Sequence, residues 1–310
     1  MIHAEGLTKQ FGSITAVDNL TLDVEEGEVF GFLGPNGAGK TTTVRMLTSL
    51  ISRTSGSAEV AGCVLGDPAE EVRLRGRIGL LPENVGLYEA QSAGENLAYF
   101  GRLQGMEPSR IAANIERLLR MLELWEKRDL PVATFSKGMK QKVAIARALV
   151  HDPQVLFLDE PTANLDPAAA KTVRDFILEL KKERRTIFLN THHLDEAERV
   201  CDRVGILRTR LLTVGSPTEL KSRIWGRRTL ARVDRVTEAI LGSIRTRLGD
   251  RRIDVDGDRL VIAVDEPDRQ NREIAAAIVA AGGKLRELSP VSASLEDVYL
   301  KLVHEGGSGS

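Results

Sequence analysis

The sequence has almost no net charge, few cysteines and no long apolar run. Lys plus Arg (43) nearly cancel Asp plus Glu (44), so no global field draws the chain toward nucleic acid or an anionic membrane. Its two cysteines, Cys63 and Cys201, lie far apart. Neither has a CxxC partner or a histidine cluster beside it, which excludes a cysteine metal site and leaves buried free thiols. No segment approaches the roughly 18 apolar residues that a membrane helix requires. The first residues also lack the basic-then-apolar pattern of a secretory leader. The expectation is a chain that is neither exported nor membrane-spanning. Internal repeats are absent. The only biased segment is Gly306-Gly307-Ser308-Gly309-Ser310, which reads as a flexible linker.

What is present is an ordinary globular composition, 42% hydrophobic and 28% charged over 310 residues. That length exceeds the usual single core, so one large domain and one smaller domain are expected. Ile2 to Leu7 and Leu20 to Val24 are short apolar runs separated by turn residues such as Phe11-Gly12-Ser13, which suits an antiparallel layer. Glu28 to Leu33 reads as a buried strand that runs through a glycine-rich loop into a helix over Lys40 to Leu50. Residues 92–127 read as helical, with Ile111, Ile115, Leu118, Leu119 and Leu122 on one face. They fall in a helical subdomain placed at about 88–150. Ser136 is positioned to cap a helix over 137–150. Val155 to Leu158 and Thr186 to Asn190 are further buried strands, and the alternation with helices implies a covered parallel sheet. After Ser216-Pro217 the pattern becomes strand, helix, strand, strand, helix, strand over 228–291, a small α+β ferredoxin-like unit placed at 217–305. Asp256-Gly257 is its hairpin turn. A last helix, Leu295 to Val303, is expected to pack on that unit or on its twin in a dimer.

Gly34-Pro35-Asn36-Gly37-Ala38-Gly39-Lys40-Thr41 fits the pattern GxxxxGK[ST] between a strand and a helix. Glycines there let backbone N–H groups curl around phosphates. Lys40 reaches the β- and γ-phosphates, and Thr41 can ligate Mg²⁺. The run Val155-Leu156-Phe157-Leu158-Asp159-Glu160 ends in two carboxylates, at the sheet edge where open α/β sheets bind ligands. Strand alternation assigns them separate roles: Asp159 toward Mg²⁺ or its water, Glu160 as base for the attacking water. Thr186 to Asn190 delivers Thr191-His192-His193 to the same edge, where one histidine can donate to the γ-phosphate.

In this order, and together with Phe135-Ser136-Lys137-Gly138-Met139-Lys140-Gln141, these segments make residues 1–216 resemble the ABC ATPases. The fold implied is an α/β P-loop NTPase core with an antiparallel β layer and a helical subdomain, followed by the ferredoxin-like unit. The resemblance implies that ATP and Mg²⁺ are bound, with nucleotide contacts running from Gly34 through Thr42. Ser136 and Gly138 occupy the serine and second glycine of the family's LSGGQ signature, while Phe135, Lys137 and Met139 depart from it. By the same carry-over Phe11 stacks on adenine, Asn164-Leu165-Asp166 forms the D-loop, and His192 is the switch histidine. Glu83 stands where the family usually has the Q-loop glutamine, as a nucleotide-site contact and Mg²⁺ ligand. Residues 84–97 correspond to the surface on which a transporter's coupling helix docks. The resemblance further implies a second ATPase subunit, identical or homologous, arranged head to tail around two ATP. Separate membrane permease subunits are implied too, placing the chain in the cytoplasm on the inner face of the membrane.

The ending Ser294-Leu295-Glu296-Asp297-Val298-Tyr299-Leu300 resembles the extension of exporter ATPase subunits, for drugs, sodium ions or polysaccharides. An ABC ATPase serving a soluble machine, ribosome-associated or in DNA repair, is the alternative. Such relatives carry two ABC units or a long coiled coil, and neither is found here. A nucleotide-responsive module without turnover would have no use for Glu160.

Overall fold

The computed structural model describes residues 1–291 and 293–305, with the side chains of Trp225 and of residues 303–305 outside that description. The Gly306–Ser310 tail, read above as a flexible linker, lies outside the described residues. The chain divides into two compact units, Met1–Ser216 and Pro217–Ser310.

Two sheets build the first unit. Strands β1 (Ile2–Phe11), β2 (Ile14–Val24), β4 (Ser55–Val60) and β5 (Cys63–Val64) form an antiparallel layer in the order β2-β1-β4-β5. Its register pairs Ile2 with Val24 and Leu7 with Leu20, all fully buried. The larger sheet runs β10-β9-β3-β8-β7-β6, from β3 (Val29–Leu33), β6 (Ile78–Leu81), β7 (Val155–Asp159), β8 (Thr186–Thr191), β9 (Arg203–Arg208) and β10 (Arg210–Gly215). Its pairs are parallel except β10 with β9. Every residue of β3, β7 and β8 is buried, which is why these strands are continuous apolar runs. Phe188 sits at their centre, with ring centroids of Phe30, Phe32 and Phe157 at 5.7, 5.2 and 5.5 Å.

The helices of this unit are α1 (Lys40–Leu47), α2 (Pro68–Arg77), α3 (Ala93–Leu103), α4 (Pro108–Met121), α5 (Lys137–Leu149), α6 (Pro167–Lys182) and α7 (Leu194–Val200). Helix α1 stops short of the expected Leu50. Ser49 adopts a left-handed φ of 58°, which ends an α-helix, and Thr48 Oγ1 caps the last turn by donating to Val44 O at 2.8 Å. The single helical stretch expected over 92–127 is two helices and a short 3₁₀ turn at Trp125–Lys127. Pro108 can open a helix but cannot continue one. On α4, Ile111, Leu118 and Leu119 are buried while Ile115 is half-buried.

The second unit begins with a short helix α8 (Pro217–Leu220) and a π turn at Lys221–Trp225. Strand β11 (Arg227–Val233), helix α9 (Glu238–Leu248), β12 (Ile253–Asp256), β13 (Arg259–Val264), α10 (Pro267–Ala280) and β14 (Leu285–Val291) follow. The sheet order β12-β13-β11-β14, antiparallel throughout, is that of a ferredoxin-like βαββαβ unit. Alternation buries Ala231 and Val233 of β11 and Leu260, Ile262 and Val264 of β13 in one core with Ile244. The last helix, α11 (Leu295–Glu305), packs on the segment that opens this same unit, where Lys301 Nζ donates to Ile224 O at 2.7 Å.

Candidate active site

Three strand ends meet at one edge of the larger sheet. The parallel register sets Leu33 of β3 beside Thr191 of β8, and Asp159 of β7 beside Asn190. The phosphate loop therefore meets the carboxylate pair and the histidine turn, both more than a hundred residues further along the chain. Between them lies a cleft of about 350 Å³ lined by residues 35–42, Ala16, Glu83, Asp159, Glu160 and Asn190. Two glycines keep the loop backbone where side chains cannot fit. A Cβ on Gly34 would stand 2.3 Å from Leu207 O, and one on Gly39, which has φ +98°, would stand 2.3 Å from Ala16 O.

Lys40, at the start of α1, is 7% exposed and donates from Nζ to Gly34 O (2.7 Å) and Pro35 O (3.2 Å). Burial lowers its pKa, and the nearby charges of Glu160 and Asp159 oppose that shift. Asp159 is 4% exposed. Its pKa is raised, chiefly by burial, against hydrogen bonds donated by Asn190 and Thr41; the charges of Glu160 and Glu83 add to the rise. Asn190 Nδ2 donates to Asp159 Oδ1. The other amide atom, Asn190 Oδ1, is buried without a hydrogen-bond partner among the described residues. A buried acceptor of this kind needs a donor such as water or ligand. Thr41, Glu83, Asp159 and Asn190 offer only oxygen donors, the chemistry that suits Mg²⁺, and the orphaned Oδ1 suits a metal-bound water.

Glu160 is not a strand residue. Strand β7 ends at Asp159, and Glu160 takes a left-handed φ of 50° with its N–H donated to Asn190 O at 2.8 Å. Simple strand alternation thus stops one residue early, and the backbone turn brings both carboxylates to the cleft. His192 Nδ1 donates to Glu160 Oε1 at 2.8 Å, and Thr191 Oγ1 donates to Glu160 Oε2 at 3.4 Å. A base held by a second side chain is the arrangement that general-base catalysis uses.

Phe11, Ser136, Gly138 and Asp166 do not line the cleft. Phe11 is 51% exposed at the end of the β1–β2 hairpin, with Lys9 Nζ 5.0 Å above its ring. Ser136 is exposed and caps α5 by accepting from Met139 N at 3.3 Å. Phe135 before it is buried, so its aromatic ring anchors the signature segment where the family consensus has leucine. Gly138 packs against α6: a Cβ there would meet Ala169 Cβ at 2.8 Å, with Asp166 Oδ2 at 3.8 Å. Asp166 itself caps α6, accepting from Ala168 N and Ala169 N at 3.0 and 2.9 Å.

Several residues around the cleft carried no signal in sequence. Asn190 reads only as the end of an apolar run, and Ala16 belongs to no motif. Thr162 Oγ1 donates to Glu196, whose other oxygen accepts from Arg174 Nη1 at 2.7 Å, so one carboxylate ties α6 and α7 to the turn that follows Glu160. Gln141 Nε2 reaches the same turn at Pro161 O, 3.0 Å away. Arg147 of α5, its pKa lowered by burial, donates to Val85 O and Gly86 O at 2.5 and 2.8 Å and stacks over Phe100 of α3. It holds the backbone immediately after Glu83. These partners are set by tertiary contact, and nothing in local spacing announces them.

A covered parallel sheet, a phosphate loop running from β3 into α1 and a pair of carboxylates at the end of β7, on the far side of β8, define a phosphate-loop nucleoside-triphosphate hydrolase. Known proteins narrow the class. Residues 17–163 match the family model described as ABC transporter. The chain is 35% identical over 306 residues to the Nod factor export ATP-binding protein I of Ralstonia nicotianae, covering 97% of this chain and 93% of that protein. It is 37% identical over 311 residues to the bacitracin transport ATP-binding protein BcrA of Bacillus licheniformis, covering 100% and 99%. Among solved structures, a dimeric post-hydrolysis ATP-binding cassette bound to ADP and Pi superposes with a TM-score of 0.64 at 25% identity, covering 70% of this chain and 98% of that one. The chain belongs to the ABC transporter family, as an ATP-binding, ATP-hydrolysing subunit.

Proposed function

We propose that this subunit powers export through separate membrane permease subunits by hydrolysing Mg²⁺-bound ATP, and one observation carries the reading. Glu160 is held by His192 beside the cleft that contains Lys40. Lys40 and the N–H groups of the phosphate loop bind the β- and γ-phosphates of ATP. Thr41, Asp159 and Glu83 hold Mg²⁺, which supplies charge neutralisation of the phosphate oxygens when bound. Glu160 takes a proton from the attacking water, whose oxygen bonds to the γ-phosphorus as the bond to the β–γ bridging oxygen breaks. ADP and phosphate leave. His192 orients Glu160 through Nδ1.

The signature residues Ser136 and Gly138 stand apart from this chain's own cleft, which supports their acting on ATP held by a second copy or a homologous subunit, head to tail. Phe11, exposed at its hairpin end, is available to adenine, and Asp166 lies where the two subunits meet. Export is supported by relatives named for Nod factor export and bacitracin transport that match nearly end to end. No helix among the described residues is long and apolar enough to cross a membrane. Attachment to the inner membrane face therefore falls to permease subunits, through residues 84–97. Nucleic acid has no part in this reading, and the second unit is an accessory, regulatory domain.

Glu160→Gln in the full chain tests it. Hydrolysis should fall by about 10²–10⁴-fold, the range of a general base, with ATP affinity retained and an ATP-dependent dimer visible by light scattering. Near-normal turnover would overturn the assignment of the base. Failure to copurify with any integral membrane protein would turn the reading toward a soluble machine.

A further inference from the structure

The switch turn carries two histidines where the reaction uses one. His192 and His193 both lie exposed, their ring centroids 4.1 Å apart and tilted by 36°. Among the described residues, these two and Glu160 are the one group of three or more His, Cys, Asp or Glu side chains whose ligand atoms all fall within 4.8 Å of each other. Already His192 Nδ1 and Glu160 Oε1 are 2.8 Å apart. Around a tetrahedral Zn²⁺, with bonds of about 2.1 Å, neighbouring ligand atoms stand about 3.4 Å apart. Opening the first pair by a fraction of an ångström and turning the His193 ring inward would satisfy that spacing. The His193 side chain makes no capping hydrogen bond to α7 that would resist the turn.

We propose that Glu160, His192 and His193 bind one borderline divalent transition cation, with Zn²⁺ as its representative, and that the bound cation blocks hydrolysis. Two imidazoles and a carboxylate, with a fourth position open to water, are a ligand set for zinc rather than for magnesium. The Mg²⁺ ligands proposed above are all oxygens, so the two cations are sorted by donor chemistry and do not compete for one set. A cation on Glu160 and His192 occupies the carboxylate lone pair that would take the water's proton and replaces the hydrogen bond by which His192 orients the base. The inhibition rests on the reading of Glu160 as base, whereas the binding does not.

The test uses the untagged full-length chain. Zn²⁺ binding to the nucleotide-free protein is followed by calorimetry, and Co²⁺ binding by its visible absorption, which reports tetrahedral nitrogen and oxygen ligands. Wild type should take up a single equivalent and lose Mg²⁺-ATP hydrolysis as Zn²⁺ is added. His193→Ala should weaken binding and shift half-inhibition by about tenfold or more, by loss of one ligand. Its hydrolysis without Zn²⁺ should stay within about twofold, as expected for an exposed side chain outside the reaction. Equal Zn²⁺ affinity in wild type and His193→Ala would overturn the site. So would binding that survives His193→Ala but is lost in His3→Ala, which would assign the cation to the surface pair His3–Asp23. A chain that binds Zn²⁺ in this way but does not hydrolyse ATP would leave the site standing and overturn the proposed function instead.

Discussion

The two units treat buried polar groups in opposite ways. The first buries Lys40, Asp159, Asn190, Thr191 and Thr43 around one sheet edge, while the second, among its described residues, buries only Thr229 and Gln270 as polar side chains. Both of the latter are neutral and partnered. Thr229 Oγ1 donates to Asn271 Oδ1 at 2.6 Å, and Gln270 Oε1 accepts from Asp265 N and Glu266 N at 2.7 and 2.9 Å. Removing a charge from water is costly unless partners compensate. The first unit bears that cost where the pKa values of Lys40 and Asp159 are displaced by burial, and an acceptor on Asn190 remains unpaired. The contrast sets the sheet edge that holds Lys40, Asp159 and Asn190 apart from the second unit, whose buried polar side chains are neutral and partnered.

The comparison is broken most severely at Lys40. Lys40→Ala should lower ATP affinity by more than about 100-fold, because the phosphates lose their principal cation in a confined site. Calorimetric titration with ATP would check it, and unchanged affinity would refute the phosphate-loop assignment.

Asp159→Asn should separate stability from function. Burial raises the Asp159 pKa, so its contribution to folding is most favourable below the ordinary carboxylate range and is lost as pH rises through the folded value. The neutral amide escapes that loss. Asn190 can still donate to the new side-chain oxygen, and the Thr41 hydroxyl can accept from its amide. The nucleotide-free variant should melt about 2–4 °C above wild type near pH 8, with the gap narrowing as pH falls toward the carboxylate range, while Mg²⁺-dependent hydrolysis is lost. A variant less stable than wild type at pH 8 would mean that Asp159 is well compensated in place.

Gln270→Leu makes the smallest mark on activity. It strips two N–H groups at the start of α10 of their acceptor, a loss of about 1–3 kcal/mol, so the second unit should unfold at lower temperature in calorimetry. Hydrolysis should be unchanged, since every residue lining the cleft precedes Ser216. A matching fall in hydrolysis would show that the second unit supports the reaction.

Much of this contrast could be read from residues alone, for a physical reason. Gly34 to Thr41 couples backbone geometry to ligand chemistry within eight positions, and the run before Asp159 is apolar because both its faces are covered. Strand β4 escaped notice because SGSAEV buries only Ala58 and Val60, too little for a period to emerge. The break between α3 and α4 was hidden by apolar residues on both sides of it. Around the cleft, Glu196, Arg174 and Arg147 act through partners distant in sequence, which no local pattern encodes.

The left-handed turn at Glu160 sets a rule for anyone altering that position. A residue there is chosen twice, for its functional group and for its tolerance of φ 50°. Gln keeps the chain length and branching of Glu and changes one variable. Val, Ile or Thr would force a β-branched residue into backbone space it avoids, so a dead enzyme would report a displaced loop as readily as a missing base. Asn, which accepts left-handed backbone more willingly, would instead measure reach, the same carbonyl brought one methylene further from the water.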